Sequence, residues 1–250
     1  MRLPLAPGGL REMIILTLVF GGAGVWALFM GLAGYGWAWP VAILFIIVWL
    51  SGLAFFRDPE RTTPLEEGIM IAPADGKVTE TTLLEQHPDI GGPATRIGIF
   101  LSVLDVHINR SPCAGTVRSV SYKPGQFLDA RDPQCGELNE ANTIVIDPDP
   151  PHAGPVVVRQ IAGLIARRIV CNVKPGDRVF TGQRIGLIKF GSRTELILPG
   201  HNLYKPAVTI GDRVYGAMSI LARRLSETES ADAEALDKAE QTSPSELKHA

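Results

Sequence analysis

Residues 184–199 read RIGLIKFGSRTELILP, and the fold turns on how this stretch is parsed. Two short apolar runs, RIGLI and LILP, have the length and the β-branched content of strands. Between them lies KFGSRTE, residues 189–195, which places a Gly-Ser pair among charges. Gly and Ser are common turn residues, so one reading is a tight hairpin. The other is that the bond between Gly191 and Ser192 is itself a substrate. Both readings make the flanks β-strands, and neither is settled by this stretch alone.

The same texture extends outward. KPGDRVFTGQRIGLI, residues 174–188, has two Gly-containing turns bracketing short strands, like the folded strand units of lipoyl-carrier and related sandwich domains. GDRVF at Gly176 is echoed by GDRVY at Gly211. Upstream, GIMIAPADGKVTETTLL, TRIGIFLSVLDVHINR, GTVRSVSYK, NTIVIDP, PVVVRQIAG and RIVCNV are Val-, Ile- and Thr-rich runs broken by Pro, Gly and Asp. The expectation is a mainly β, sandwich-like domain over residues 61–225 with few short helices. GLIARR, residues 163–168, fits a short helix or a strand. Residues 226–250 are polar and lack aromatics, as a disordered tail would.

The N-terminal part follows different rules. From Met13 to Phe56 there is no Asp, Glu, Lys or Arg. One membrane-spanning helix needs roughly 20 apolar residues, and this run accommodates two. AGYG with Trp37, Trp39 and Pro40 suits a short loop at the far bilayer face, predicting spans at about 13–33 and 38–56 within an anchor of residues 1–60. The apolar core of a cleaved signal peptide is shorter than this, about 7–15 residues. Arg2 and Arg11 precede the first span, and Arg57 and Arg61 follow the second. That asymmetry predicts both ends, and the β-rich domain, on the cytoplasmic side of the cell membrane.

Composition excludes several functions. A net charge of −2 argues against a broad nucleic-acid surface. Cys113, Cys135 and Cys171 are too far apart for a CxxC metal or redox motif. GxSxG, HExxH, P-loop and GxGxxG patterns are absent, so no metal or nucleotide site is expected.

Three segments carry groups suited to chemistry. Asp75 lies in PADGK, a carboxylate in a turn. In SVLDVHINRSP, strand alternation would put Leu104, Val106 and Ile108 on one face and Asp105, His107 and Asn109 on the other. His107 is the side chain best suited to proton transfer near neutrality. Ser192, next to Gly191, becomes a nucleophile toward its own preceding carbonyl if a base takes its proton. Taken singly, each segment is also an ordinary turn or polar strand face.

Together, FFRDPER after an apolar anchor, PADGKV, FLSVLDVHINRSPCAGTV, YKPGQF, NEAN and VKPGDRVFTGQRIGLIKFGSRTELILP resemble the short bacterial phosphatidylserine decarboxylases. The resemblance runs from about Phe55 to Leu221 in the family's order. It implies a self-processing proenzyme cut between Gly191 and Ser192 into a β chain, 1–191, and an α chain, 192–250. Ser192 would become a covalent pyruvoyl group, the only cofactor. Phosphatidylserine from the bilayer would form a Schiff base with it and leave as phosphatidylethanolamine and carbon dioxide. His107 matches a family histidine that serves processing, decarboxylation or both, and Asp75 the acid that supports it. Where longer relatives carry a second histidine, this chain has Arg110. Arg110 and Asn109 are therefore candidates for substrate contact, and a homodimer is compatible with the sequence. Two competing functions remain: a non-catalytic membrane adaptor with a lipoyl-like sandwich, and a membrane serine hydrolase with an uncut chain.

Overall fold

The computed structural model describes residues 5–164, 168–189, 191–200, 202–226 and 228–230. The centre of GLIARR and nearly all of the tail lie outside the described residues.

The apolar run forms a helical hairpin. A continuous helical path, Pro7–Leu32, contains α1 (Leu10–Leu16) and α2 (Gly22–Leu32), and α3 (Ala38–Phe55) returns beside it. Small residues, Gly24, Ala27, Gly31, Ala38 and Ala42, are buried where the helices touch, which lets the backbones approach. Both paths are long and apolar enough to cross a membrane and are only 22% and 17% buried. Leu18, Val25, Phe29, Ile43 and Leu44 are exposed along them. So much uncovered apolar surface associates this end of the chain with a membrane. The first path begins earlier than expected, at Pro7, and takes Arg11 and Glu12 into the helix. Glu12 is tolerated there because Lys189 Nζ lies 2.7 Å from its carboxylate.

The remainder is mainly β. In order come β1 (Ile69–Ile71), β2 (Gly76–His87), β3 (Gly92–Leu101), β4 (Ile108–Arg110), β5 (Gly115–Lys123), the one-turn helix α4 (Cys135–Leu138) and β6 (Ala141–Pro148). β7 (Val156–Ile161), β8 (Ile169–Cys171), β9 (Arg178–Val179), β10 (Arg184–Ile188) and β11 (Ser192–Pro199) follow, then β12 (Tyr204–Pro206), β13 (Arg213–Val214) and β14 (Ile220–Arg224). An eight-stranded sheet runs β13-β2-β3-β11-β7-β6-β5-β9, and two three-stranded sheets run β1-β14-β12 and β4-β10-β8. The three sheets enclose one core. Ile97, Ile99 and Leu101, Ile144 and Ile146, Val156 and Val158, and Leu196 and Leu198 enter it from the large sheet at every second position. Met70, Ile185, Tyr204 and Leu221 meet them from the small sheets. Each such side chain contributes about 1.5–3 kcal/mol by burial. This is the mainly β architecture behind an apolar hairpin that the sequence predicts.

Two local expectations fail. β10 and β11 are not a hairpin: β10 pairs with β4 and β8, whereas β11 lies between β3 and β7. The end of β10 and the start of β11 therefore belong to different sheets. The strand expected through residues 104–109 is strand only from Ile108. Before it, Asp105 accepts from the Ser102 N–H and hydroxyl, each at 2.8 Å, and the Asp105 N–H donates to the Ser102 carbonyl. This closed turn breaks the alternation, so Asp105, Val106 and His107 are all buried while Leu104 is exposed.

Candidate functional site

Gly191, just before β11, meets the Ser102–His107 turn, and there the site forms. Gly191 has φ +67°, a left-handed conformation that an L side chain would strain. Its N–H donates to His107 Nε2 at 3.0 Å. His107 Nδ1 lies 2.9 Å from the Asp105 carbonyl and donates to it, which leaves Nε2 as the acceptor. The ring is buried, and the Phe55 ring from the end of α3 packs on it with centroids 4.4 Å apart. Burial holds the imidazole down at about 4, against the opposing pull of the Asp105 carbonyl and the Asp105 charge. At neutral pH His107 is thus an uncharged base with a defined tautomer.

Ser192 opens β11 on its core-facing side. It is fully buried, and its Oγ has no hydrogen-bond partner among the described residues. On the other side of the Gly191–Ser192 peptide, the Gly191 carbonyl oxygen lies 2.4 Å from where a Cβ on Gly163 would sit. Gly163 is therefore required by close approach: any larger residue would push the carbonyl away. A cavity of about 460 Å³ opens beside Gly191, lined by Phe100, Ser102, Val103, Asp129, Ala130, Arg131 and Leu164.

Asp75 sits in the turn before β2 as expected, but its carboxylate is taken by Arg61. Arg61 holds it with two bonds of 2.7 Å, and the Gly216 N–H adds one of 2.8 Å. Both ring nitrogens of His107 have other partners, so Asp75 acts on it only through its charge, which favours protonation of the ring. Arg110 and Asn109 are buried rather than facing the cavity. Arg110 binds Asp58, the Pro59 carbonyl and the Gly182 carbonyl at 2.9–3.1 Å. Asn109 accepts from Gln160 at 2.8 Å and donates to Thr194 Oγ1 at 2.9 Å, two residues along β11 from Ser192. These contacts position the strand and turn of the site.

The FFRDPER segment does more than the sequence suggested. Arg57 donates to the Leu104 carbonyl, Asp58 pairs with Arg110 and Arg184, and Arg61 pairs with Asp75. One segment thereby ties the base-bearing turn, β4, β10 and the Asp75 turn together. Its alternating charges directly after an apolar helix were the available signal. Among the described residues no group of three or more His, Cys, Asp or Glu is arranged to hold a metal ion. Cys113 is buried, and burial pushes its thiol up to about 12, outside useful thiolate chemistry.

The family profile described as phosphatidylserine decarboxylase matches residues 52–222, more than half of the chain. The phosphatidylserine decarboxylase proenzyme of Erythrobacter litoralis is 45% identical over 199 residues, covering 74% of this chain and 76% of that protein. Those of Gluconacetobacter diazotrophicus and Symbiobacterium thermophilum are each 47% identical. The first covers 68% of this chain and 76% of its own length, the second 70% and 81%.

Proposed function

The chain belongs to the phosphatidylserine decarboxylase family, and from that premise we propose that Gly191–Ser192 is its cleavage site, with Ser192, His107 and Asp75 carrying the chemistry. The activity is conversion of phosphatidylserine to phosphatidylethanolamine and carbon dioxide by a pyruvoyl-dependent, self-processed enzyme.

The observation that carries the residue assignment is the state of the scissile peptide. Ser192 Oγ is buried with no partner among the described residues, and Gly191 N–H is held by the neutral His107. In processing, His107 exchanges the Gly191 N–H for the Ser192 hydroxyl and accepts its proton. Oγ adds to the Gly191 carbonyl, and the C–N bond breaks to leave an ester and a free amine at residue 192. Loss of the Ser192 α-proton expels the upstream chain as a carboxylate, and water replaces the resulting nitrogen, released as ammonia. The residues present fit the group so formed, since position 192 starts a rigid strand and its neighbour opens onto the cavity. When present, its ketone takes up the substrate amine and accepts the electron pair freed with carbon dioxide. His107, buried against Phe55, excludes water and holds a proton acceptor at this peptide. Asp75 and Arg61 fix the adjoining turn, and Arg110 and Asn109 position β4 against β10 and β11.

Cleavage would divide the protein into chains 1–191 and 192–250, joined by the pairing of β11 with β3 and β7. The arginines at both outer flanks of the hairpin support a cytoplasmic catalytic domain. A homodimer belongs to the same proposal, and light scattering of the detergent-solubilised protein decides it. The principal test is turnover of phosphatidylserine vesicles by wild type and Ser192→Ala. Wild type should form phosphatidylethanolamine, and Ser192→Ala none. Activity in Ser192→Ala would exclude this assignment.

A further inference from the structure

The helical hairpin does not hang apart from the catalytic face. Ala6, just before the first helix, packs on Val106, Ile108 and Leu187. Glu12 meets Lys189, Phe55 meets His107, and Arg57 reaches the Leu104 carbonyl. The Ser102–His107 turn therefore lies at the level where the chain leaves the apolar layer.

On that turn the side chains are the wrong type for water. Leu104 is 82% exposed and Val103 46%, and Leu164, across the cavity mouth, is 62% exposed. Beside them Arg168 is exposed and is bonded through its carbonyl to the Lys189 N–H, while Arg131, at the cavity, is paired with Asp129 at 2.7 Å. Apolar tips match a bilayer surface, which takes them up, and Arg168 adds attraction where that surface is anionic.

We propose that the Val103–Leu104 turn and Leu164 form a lip that inserts into the surface of an anionic phospholipid bilayer and presents the headgroup directly to the cavity at Gly191. The hairpin holds the domain at the membrane, and the lip sets which face looks down. The occupant is lipid because the lip is continuous with the membrane end of α3 through the Arg57–Leu104 bond. A protein partner is the alternative that the test separates. The inference rests on the decarboxylase reading above.

The test uses full-length protein in phosphatidylcholine nanodiscs, as wild type, Leu104→Asn and Leu104→Phe. One substrate is long-chain phosphatidylserine within the disc, and the other is short-chain phosphatidylserine added below its micellar concentration. Leu104→Asn should self-cleave normally by intact mass and turn over the short-chain substrate like wild type. Its apparent KM for bilayer phosphatidylserine should rise roughly five- to tenfold with kcat retained, and Leu104→Phe should match wild type. An unchanged bilayer KM would overturn the lip and leave a protein partner as the use of this surface. Equal loss on both substrates, or failed self-cleavage, would overturn it by making Leu104 part of the structural frame. A wild type inactive on both substrates would sink the decarboxylase reading, and the lip with it.

Discussion

Ser192 and Arg193 are neighbours on β11 and project into opposite surroundings. On the outer face the charges around Arg193 lie against opposite ones. Arg193 pairs with Glu80 and, at 2.9 Å, with Glu195; Glu80 also takes Arg96, and Arg159 lies 3.6 Å from Glu195. On the core face the polar groups are neutral. His107 is kept uncharged, and Ser192 Oγ has no partner among the described residues. A compensated ion cluster is expensive to disturb and so fixes the strand in place. The buried hydroxyl follows the Gly191 N–H that the neutral His107 holds, and in the proposed mechanism it is the group that reacts. On that proposal one strand carries its scaffold on one side and its chemistry on the other.

Four experiments would break or sharpen this contrast. The largest effect belongs to His107→Gln, which removes the base and should slow self-cleavage by about 10²–10⁴-fold, measured by the time course of chain masses after synthesis. Cleavage at the wild-type rate would remove His107 from the mechanism. On the outer face, Arg193→Met leaves Glu195 and Glu80 short of a cation and should cost about 3–5 kcal/mol of stability, read by thermal unfolding in detergent. Molecules that do fold should still cleave, which separates scaffold from chemistry.

The third is pH. His107 titrates near 4 when folded against 6.5 in the ordinary ring, so the unfolded chain binds more protons between those values. Its contribution is complete above pH 6.5 and is lost as pH falls toward 4, by up to about 3 kcal/mol. Wild type should therefore lose stability more steeply than His107→Gln across that window, while its cleavage rate stays flat from pH 8 to about 5. Identical slopes would mean that the ring is not buried neutral. The smallest effect is Gly163→Ala. The added Cβ displaces the Gly191 carbonyl and should slow cleavage about tenfold, equivalent to about 1.4 kcal/mol, with little change in melting temperature. A normal rate would show that this close approach has no bearing on the reaction.

Much of this was legible in the sequence. Strands announced themselves as Val-, Ile- and Thr-rich runs broken by Pro, Gly and Asp, and the hairpin by a charge-free run too long for a soluble helix. Ser192, Gly191, His107 and Asp75 were named through the family resemblance, and of these the structure brings Gly191 and His107 into contact while Arg61 takes Asp75. What escaped was whatever depends on distance through space. Leu104, Val106 and Ile108 mimic a strand, but a Ser102–Asp105 side-chain bond closes a turn there first. Arg61 reads as a flanking membrane charge, yet it is buried on Asp75. β10 and β11 are consecutive and apolar, so they look like a hairpin, although each finds better partners far away in sequence. Gly163 gives no local sign at all, because its reason is a carbonyl 28 positions later.

The most direct test is the intact mass of the protein purified from membranes and denatured. The account predicts two species, residues 1–191 and 192–250, the smaller lighter by one ammonia than a simple hydrolysis fragment. A single mass for residues 1–250 would contradict it and make the unpartnered hydroxyl of Ser192 an ordinary feature of a buried strand.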